Sequence, residues 1–257
     1  MVFGLRTVTP LLPSQTGKLR GAAYTLWLPP APAPPARGGV VVIHGADSCK
    51  ESHHGFARAA VALGLGVVCF DQRGHGETGG RLDAGAIDDV LMFVAHLRGT
   101  VGDREAPIAL RGSSMGGYLA ILAAAEGEAR RGGVQTQAVV AICPASGELL
   151  IRGLHEGRFS FAVDGPALET FLSAHDVREA AAGLTQPLLL LHAEGDERVP
   201  IAHSRELAKV LTVPGSRLIA VPGGHHRSIQ HDEELQAVSL RFIQQSLGLG
   251  RGVREAR

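Results

Sequence analysis

Six short runs of apolar residues recur along the chain, and helical patterns fill most of the segments between them. The runs are residues 40–43, 67–70, 108–110, 138–142, 188–191 and 218–221. A wholly apolar run of this length is typical of a parallel strand that is buried on both faces of a sheet. The main helical patterns cover residues 54–65, 87–97, 116–125 and 233–247. This alternation predicts an α/β fold, in which a mostly parallel central sheet carries helices on both faces.

The length of 257 residues suits one large α/β domain, and we expect a single domain over residues 1–257. With 45% hydrophobic residues the chain can bury a core without a disulfide or a structural metal. A strand is expected at residues 22–28, paired with another near residues 5–10. Between this strand and the first apolar run, the proline-rich segment 29–35 is expected to form a stiff connection or an exposed loop.

Charge, hydropathy and cysteine content exclude several classes of protein. The chain has 25 Lys and Arg against 25 Asp and Glu, so it offers no general attraction for nucleic acid. No apolar run reaches the roughly 18–20 residues that a membrane span needs, and residues 1–13 lack the order of a signal peptide. Cys49, Cys69 and Cys143 are scattered and odd in number, which fits a reducing compartment. We therefore expect a soluble, cytoplasmic protein.

Residues 145–184 interrupt the alternation and are too long for an ordinary connection. Phe159, Phe161 and Val163 stand at strand spacing, and residues 168–172 look helical. We expect this insertion to be a short cap over a site, although an inert surface excursion is the alternative. Its apolar residues would line a pocket or pack the insertion against the core; they are Leu149, Leu150, Ile151, Leu154, Phe159, Phe161, Phe171 and Leu172.

A G-x-S-x-G sequence, residues 112–116, lies directly between a predicted buried strand and an alanine-rich helix. In this context a sharp strand-to-helix turn exposes the hydroxyl of Ser114 in a strained backbone conformation. The backbone N–H of Met115 then lies at a helix N-terminus, where it can stabilise an oxyanion. Ser113 is the competing serine, but it is not the middle residue of the pattern. A loop that merely turns the chain is the alternative interpretation.

A serine hydroxyl needs a base to accept its proton, and candidates for that base and its acid follow two later strands. Asp196 comes after the run 188–191, and His226 comes after the run 218–221. His226 would accept the Ser114 proton, and Asp196 would fix the tautomer of the ring. Glu194 is the rival acid and His225 the rival base. Asp196 could instead cap a following helix.

These motifs together resemble those of the α/β-hydrolase family, and the resemblance extends from about residue 40 to residue 247. His44-Gly45 is similar to the family's oxyanion loop, which implies that the backbone N–H of Ala46 is the second oxyanion donor. Residues 70–77 are similar to the family's D-x-R-G-x-G-x-S loop. The family's G-x-x-H pattern favours His226 over His225. The block from Asp176 to Pro200 looks like the esterase branch with short lids.

Several other patterns indicate different functions and are weaker. Residues 74–79 spell G-x-G-x-x-G, but no helix opens directly after them, so a nicotinamide site is not expected. The adjacent pairs His53-His54 and His225-His226 lack the spacing of a helical zinc site, and no third ligand is fixed. Cys49 lacks the elbow context of a nucleophile. Asp71 is not expected to be one either, because Ser114 occupies the elbow.

The sequence therefore predicts a serine hydrolase that cleaves carboxylic esters through an acyl-enzyme on Ser114. His226 acts as base, Asp196 orients it, and the N–H groups of Ala46 and Met115 hold the oxyanion. No cofactor or metal is expected, and the partner is a small-molecule ester or a related acyl substrate. The same residues could serve a peptidase, an amidase or a thioesterase. A catalytically silent binding module is the alternative from another class.

Overall fold

An eight-stranded sheet crosses the part of the chain that this computed structural model describes, residues 11–102, 105–129 and 135–249. Its strands are β1 (Gln15–Leu19), β2 (Ala22–Trp27), β3 (Gly39–Ile43), β4 (Gly66–Phe70), β5 (Ile108–Ser113), β6 (Ala138–Ile142), β7 (Leu188–Ala193) and β8 (Arg217–Val221). Their order across the sheet is β1-β2-β4-β3-β5-β6-β7-β8. The pairs from β4 to β8 are parallel, and only β1 and β2 run antiparallel to their neighbours. The predicted mostly parallel sheet is confirmed.

Helices cover both faces of this sheet, as the sequence predicts. They are α1 (His54–Ala62), α2 (Ala86–Thr100), α3 (Met115–Ala129), α4 (Gly147–His155), α5 (Gly165–Ala174), α6 (Val177–Ala182), α7 (Ile201–Ala208) and α8 (Glu233–Ser246). One buried apolar cluster joins α2 and α3 to the sheet, and a second joins α1 and α8 to the opposite face. No helix in the described ranges is both long and apolar enough to cross a membrane.

The parallel register places the ends of three central strands at one edge of the sheet. Ile43 of β3 pairs with Gly112 of β5, and Ser113 of β5 pairs with Ile142 of β6. The segments that follow these strands therefore meet above the same edge. In open α/β sheets, ligands bind in the crevice at the carboxyl ends of the strands. This edge is where the predicted site residues gather.

One prediction about secondary structure is not tested by the described residues, and another needs correction. The partner strand expected near residues 5–10 lies outside the described residues, and β2 instead pairs with β1 and β4. The strand expected at 159–163 does not form, and only Val163 makes an isolated bridge, to Leu82. The alternation of apolar residues at 159–163 therefore does not mark a strand. The ring of Phe161 instead stacks on that of His75, at a centroid distance of 3.7 Å. Residues 145–184 are mainly helical, in α4, α5 and α6.

Candidate active site

Ser114 occupies a strained turn between β5 and α3. Its φ angle is 54°, in the left-handed region that side chains other than glycine avoid. The turn is held because the Ser114 N–H donates to the Ile142 carbonyl at 2.8 Å. A side chain at Gly112 would collide with the carbonyl of Gly116, and one at Gly116 with the carbonyl of Ile43. The glycines therefore permit a close approach that leaves the half-buried Ser114 at the tip.

Asp196 and His226 form a tight pair beside this turn. His226 Nδ1 lies 2.7 Å from Asp196 Oδ2. The other carboxylate oxygen accepts the backbone N–H groups of Arg198 and Val199, both at 2.8 Å. Burial by itself would raise the pKa of Asp196. The hydrogen bonds from His192 and His226 and from the two backbone groups outweigh burial, and they hold that pKa far below its ordinary value. Asp196 is therefore ionised at neutral pH and can accept from the ring.

The rival residues are placed elsewhere. Glu194 is exposed and pairs with Arg205 at 3.0 Å. His225 is exposed, and its backbone N–H is tied to Ser228 Oγ at 2.9 Å. Cys49 lies in the loop before the 3-10 turn Lys50–His53, where its carbonyl accepts from Ser52 Oγ at 2.5 Å. The geometry brings Asp196 and His226 together and leaves the other candidates outside the pair.

His192 is a member of this cluster that sequence reasoning missed. It is fully buried at the end of β7, and its Nε2 atom lies 2.9 Å from the Val199 carbonyl and 3.4 Å from Asp196 Oδ2. Ser204 Oγ lies 2.7 Å from the other ring nitrogen and can donate to it. With Nδ1 accepting, Nε2 carries the proton and donates toward Asp196. A histidine inside an apolar strand, four residues before the candidate acid, was the available signal.

The loop after β3 approaches the elbow on its other side. A Cβ atom on Gly45 would lie 3.2 Å from Ser114 Cβ, so the backbone leading to Ala46 passes close to the hydroxyl. His44 fixes this backbone, because its Nδ1 lies 2.7 Å from the Gly45 carbonyl and its Nε2 accepts the Gln72 N–H at 3.0 Å. Burial, assisted by His75, lowers the pKa of His44 to about 4, so the ring is neutral at pH 7.

The other candidate for the oxyanion site, Met115, is the first residue of a helix. Met115 begins α3, and the first four N–H groups of an α-helix have no acceptor within it. The positive end of the helix dipole adds to the attraction for a developing negative charge. Ala46 and Met115 therefore remain the candidate backbone donors, on two different segments beside Ser114.

Ser114 and His226 face a common cleft of about 540 Å³, which Ala46 also lines. Leu149, Leu150 and Phe159 of the insertion form part of its wall. Other apolar residues predicted as lining, such as Phe171, pack into the core instead. The described residues include no hydrogen bond between the Ser114 hydroxyl and the His226 ring. Such contacts often tighten only when substrate is bound.

Glu77, in the glycine-rich loop after β4, has a structural partner. The buried Nζ atom of Lys50 lies 2.6 Å from Glu77 Oε2 and 2.8 Å from Asp71 Oδ2. Asp71 also accepts the backbone N–H groups of Lys50 and Glu77 at 2.8 and 2.9 Å. Gly76 has a φ angle of 50° and leaves no room for a side chain against Asp71. The glycine-rich loop therefore wraps a carboxylate and opens no helix.

One group of three side chains in the described ranges has the composition of a metal site. Ligand atoms of Cys143, Asp196 and His226 all lie within 4.8 Å of one another. Two of the three are the candidate acid and base. Burial raises the pKa of the Cys143 thiol, and the nearby carboxylate of Asp196 adds to that effect. The thiol is therefore a poor metal ligand at neutral pH, and the expectation of no metal cofactor stays a prediction.

Known proteins resemble the chain in sequence and in fold. Residues 34–152 match the family described as serine aminopeptidase, S33. A monoacylglycerol lipase of Mycolicibacterium smegmatis is 26% identical over 254 residues, covering 82% of this chain and 88% of the relative. Est1E of Butyrivibrio proteoclasticus, solved with ferulic acid, has a TM-score of 0.70 at 19% identity, covering 92% of this chain and 99% of that one. The Pyrococcus furiosus esterase Pf2001 also has a TM-score of 0.70, at 21% identity over 96% and 100% of the two chains.

Proposed function

We propose that this chain, which has the α/β-hydrolase fold, is a serine hydrolase that cleaves carboxylic esters. Ser114 is the nucleophile, His226 the base and Asp196 the acid that orients the base. The observation that carries the proposal is the 2.7 Å contact between His226 Nδ1 and Asp196 Oδ2, at the wall of the cleft that also contains Ser114.

In the first half of the reaction, Ser114 Oγ attacks the ester carbonyl carbon. The ionised Asp196 holds the proton of His226 on Nδ1, which leaves Nε2 free to accept the Ser114 proton. The N–H groups of Ala46 and Met115 stabilise the tetrahedral oxyanion. The oxyanion collapses, the bond from carbonyl carbon to alcohol oxygen breaks, and His226 returns the proton to the departing alcohol. The product on the enzyme is an ester of Ser114.

In the second half, a water molecule takes the place of the alcohol. His226 removes a proton from that water, and the resulting hydroxide attacks the acyl carbon. The same two N–H groups hold the second oxyanion. Its collapse breaks the bond to Ser114 Oγ, which receives the proton from His226, and the carboxylic acid leaves. Ser114 and His226 form no hydrogen bond within the described residues, and we expect the two groups to come into contact when substrate binds.

Ester cleavage is favoured over aminopeptidase activity by the charges of the cleft. An aminopeptidase must bind a protonated amino terminus, which calls for a free carboxylate. The described lining of the main cleft has more arginines than carboxylates, and this positive surplus disfavours a protonated amine. The arginines are Arg152, Arg158 and Arg198, and the carboxylates are Asp47 and Glu197. Among the relatives, the one from Mycolicibacterium smegmatis is a monoacylglycerol lipase and the one from Pyrococcus furiosus an esterase.

The proposal includes residues 145–184 as a cap on a single α/β-hydrolase domain. This segment is anchored beside the site, because Ser160 binds Asp47 and the Leu82 N–H donates to the Ala162 carbonyl at 3.0 Å. A cytoplasmic location is also part of the proposal. It is supported by Cys49, Cys69 and Cys143, all of which are unpaired.

The test is labelling with a fluorophosphonate probe, mass mapping of the modified residue, and turnover of short p-nitrophenyl esters and amino-acid p-nitroanilides. We expect modification of Ser114 and turnover of the esters. Ser114→Ala should abolish both, whereas the matched control Ser113→Ala should keep both. Folded protein that is neither labelled nor active would contradict the proposal and favour a binding module. Faster turnover of the anilides would favour a peptidase.

A further inference from the structure

A small recess opens beside the Ser114 hydroxyl, between the oxyanion loop and the loop that carries His226. Its volume is about 50 Å³, several times the roughly 10–15 Å³ that one water molecule needs. Two arginines, Arg198 and Arg227, are among the residues that line it. No carboxylate is among the described residues of its lining. The charged side chains that border the recess are therefore cationic.

The guanidinium groups of Arg198 and Arg227 have no hydrogen-bond or ion-pair partner within the described ranges. This distinguishes them from other arginines of the chain, such as Arg73, which is bound by two aspartates, and Arg205, which is bound by Glu194. Both side chains are exposed, so their charges cost no burial energy.

The charges around the rest of the cleft also favour an anionic group. Arg152 of the cap lines the main cleft and likewise lacks a partner in the described segments, while Arg158 is paired with Glu156. Asp47 and Glu197 supply the negative charges and are held by hydrogen bonds. The chain as a whole has no net charge, so this excess of arginine is local to the active site.

We propose that this recess binds an anionic group on the substrate, so that the enzyme selects esters carrying a carboxylate or a phosphate. The inference rests on the proposed esterase function and adds the class of substrate. Guanidinium groups bind carboxylates and phosphates through paired N–H donors. Arg198 and Arg227 are the specificity-determining residues, and Arg152 adds to the attraction from the cap side.

Two matched substrate pairs test the proposal and distinguish the two anions. Monomethyl adipate is compared with dimethyl adipate, and 1-butanoylglycerol 3-phosphate with 1-butanoylglycerol, at low and high salt. We expect kcat/KM to favour at least one anionic partner by about tenfold at low salt, and the ratio to fall toward one at high salt because ions screen exposed charges. The pair with the larger ratio identifies the anion.

Variants then assign the preference to the recess. Arg198→Gln with Arg227→Gln should lower the anionic-to-neutral ratio about tenfold, since each exposed pair is worth up to about fivefold in binding. A second double variant, Arg198→Gln with Arg227→Lys, keeps one of the two charges. Its anionic-to-neutral ratio should lie above that of the double glutamine variant. Arg241→Gln removes an exposed arginine of α8 outside the cleft and should leave the ratio unchanged.

The proposal is wrong if the neutral member of both pairs is the better substrate, or if the double variant keeps the wild-type ratio. These results would leave the esterase function intact, because turnover of the neutral esters and labelling of Ser114 report on it separately. Absence of turnover for every ester would instead overturn the proposed function itself.

Discussion

The Nη2 atom of Arg111 donates a hydrogen bond to the main-chain oxygen of Gln230 over 3.1 Å. Arg111 lies on β5, three residues before Ser114, and Gln230 lies in the loop that carries His226. The guanidinium is fully buried over the ring of Phe56, 4.1 Å from its centroid, and forms no ion pair with any carboxylate in the described ranges. This contact joins the strand of the nucleophile to the loop of the base.

We expect Arg111→Met to weaken catalysis more than stability. Burial lowers the pKa of Arg111 to about 9, which shows that the charged form is disfavoured where it lies. Replacing a buried charge by an apolar side chain of similar length is often neutral or stabilising. Loss of the contact with Gln230 should lower kcat about tenfold, because small displacements of catalytic groups are costly. Urea unfolding and ester kinetics measure the two effects. Strong destabilisation with unchanged kcat would contradict this.

The strained turn at Ser114 predicts a difference between two inactive variants. Ser114→Ala and Ser114→Gly both remove the nucleophile and should both lose at least three orders of magnitude in kcat. Glycine adopts the φ angle of 54° without a steric penalty, whereas alanine pays the same steric penalty as serine. Ser114→Gly should therefore be more stable than Ser114→Ala by about 1 kcal/mol. Thermal unfolding of the pair checks this, and equal stabilities would show that the turn stores no strain.

Asp196→Asn should lower kcat by about four orders of magnitude, because the amide favours the wrong tautomer of His226. The variant should also change the acid sensitivity of the fold. The pKa of Asp196 is lowered in the folded protein, so its stabilising effect is complete above the unfolded pKa of about 4 and is lost as the pH falls below it. The stability gap between wild type and variant should narrow from pH 6 to pH 3. If urea titrations give the same difference in the free energy of unfolding at pH 6 and pH 3, the ion pair between Asp196 and His226 does not stabilise the fold.

His44 predicts a second pH effect, in a different window. Its pKa is about 4 in the folded protein and about 6.5 in the unfolded chain, so between these values only the unfolded chain binds the proton. Stability should therefore fall as the pH drops from 6.5 to 4, by roughly 3 kcal/mol from this residue alone. His44→Asn removes that contribution and should show a shallower decline. If the free energy of unfolding falls with pH equally steeply in the variant and the wild type, the low pKa assigned to His44 is wrong.

Two of the three acidic partners of Lys50, Asp71 and Glu77, should contribute unequally to stability. The side chain of Asp71 is fully buried, whereas that of Glu77 is 71% exposed. Asp71→Asn removes the buried carboxylate and leaves Lys50 only its exposed partners, which should cost about 3 kcal/mol or more. Glu77→Gln removes an exposed partner and should cost less than about 1 kcal/mol. Chemical denaturation of the two variants compares them directly, and similar costs would refute the burial argument.

The parallel sheet was predictable because most of its strands are buried on both faces and contain long apolar runs, although β5 also carries Arg111 and β7 carries His192. The elbow was predictable because Gly112 and Gly116 mark close approaches that no side chain allows. The insertion was predicted less well. Phe159 and Phe161 alternate as they would in a strand, but Phe161 stacks on His75, a tertiary contact between segments far apart in the sequence.

Contacts between distant segments also explain what was missed in the site. Nothing near Arg198 and Arg227 in the sequence shows that both lack a partner and face one recess. In the sequence His192 is only one residue of an otherwise apolar strand, and its contact with Asp196 is visible only in the folded structure. In contrast, the contact between Asp196 and His226 could be predicted because each residue follows a recognisable strand, and chain order restricts the choice to a few residues.

The cap and the loop after β4 hold each other through main-chain groups. The Ala162 N–H donates to the Gly74 carbonyl, the Leu82 N–H donates to the Ala162 carbonyl, and the Asp164 N–H donates to the Leu82 carbonyl. Such bonds are largely indifferent to side-chain identity, so each segment can vary in sequence but neither can easily change its length alone. In recombination between relatives, the two segments form one unit of exchange. A chimaera that takes the cap from one parent should take residues 71–85 from the same parent.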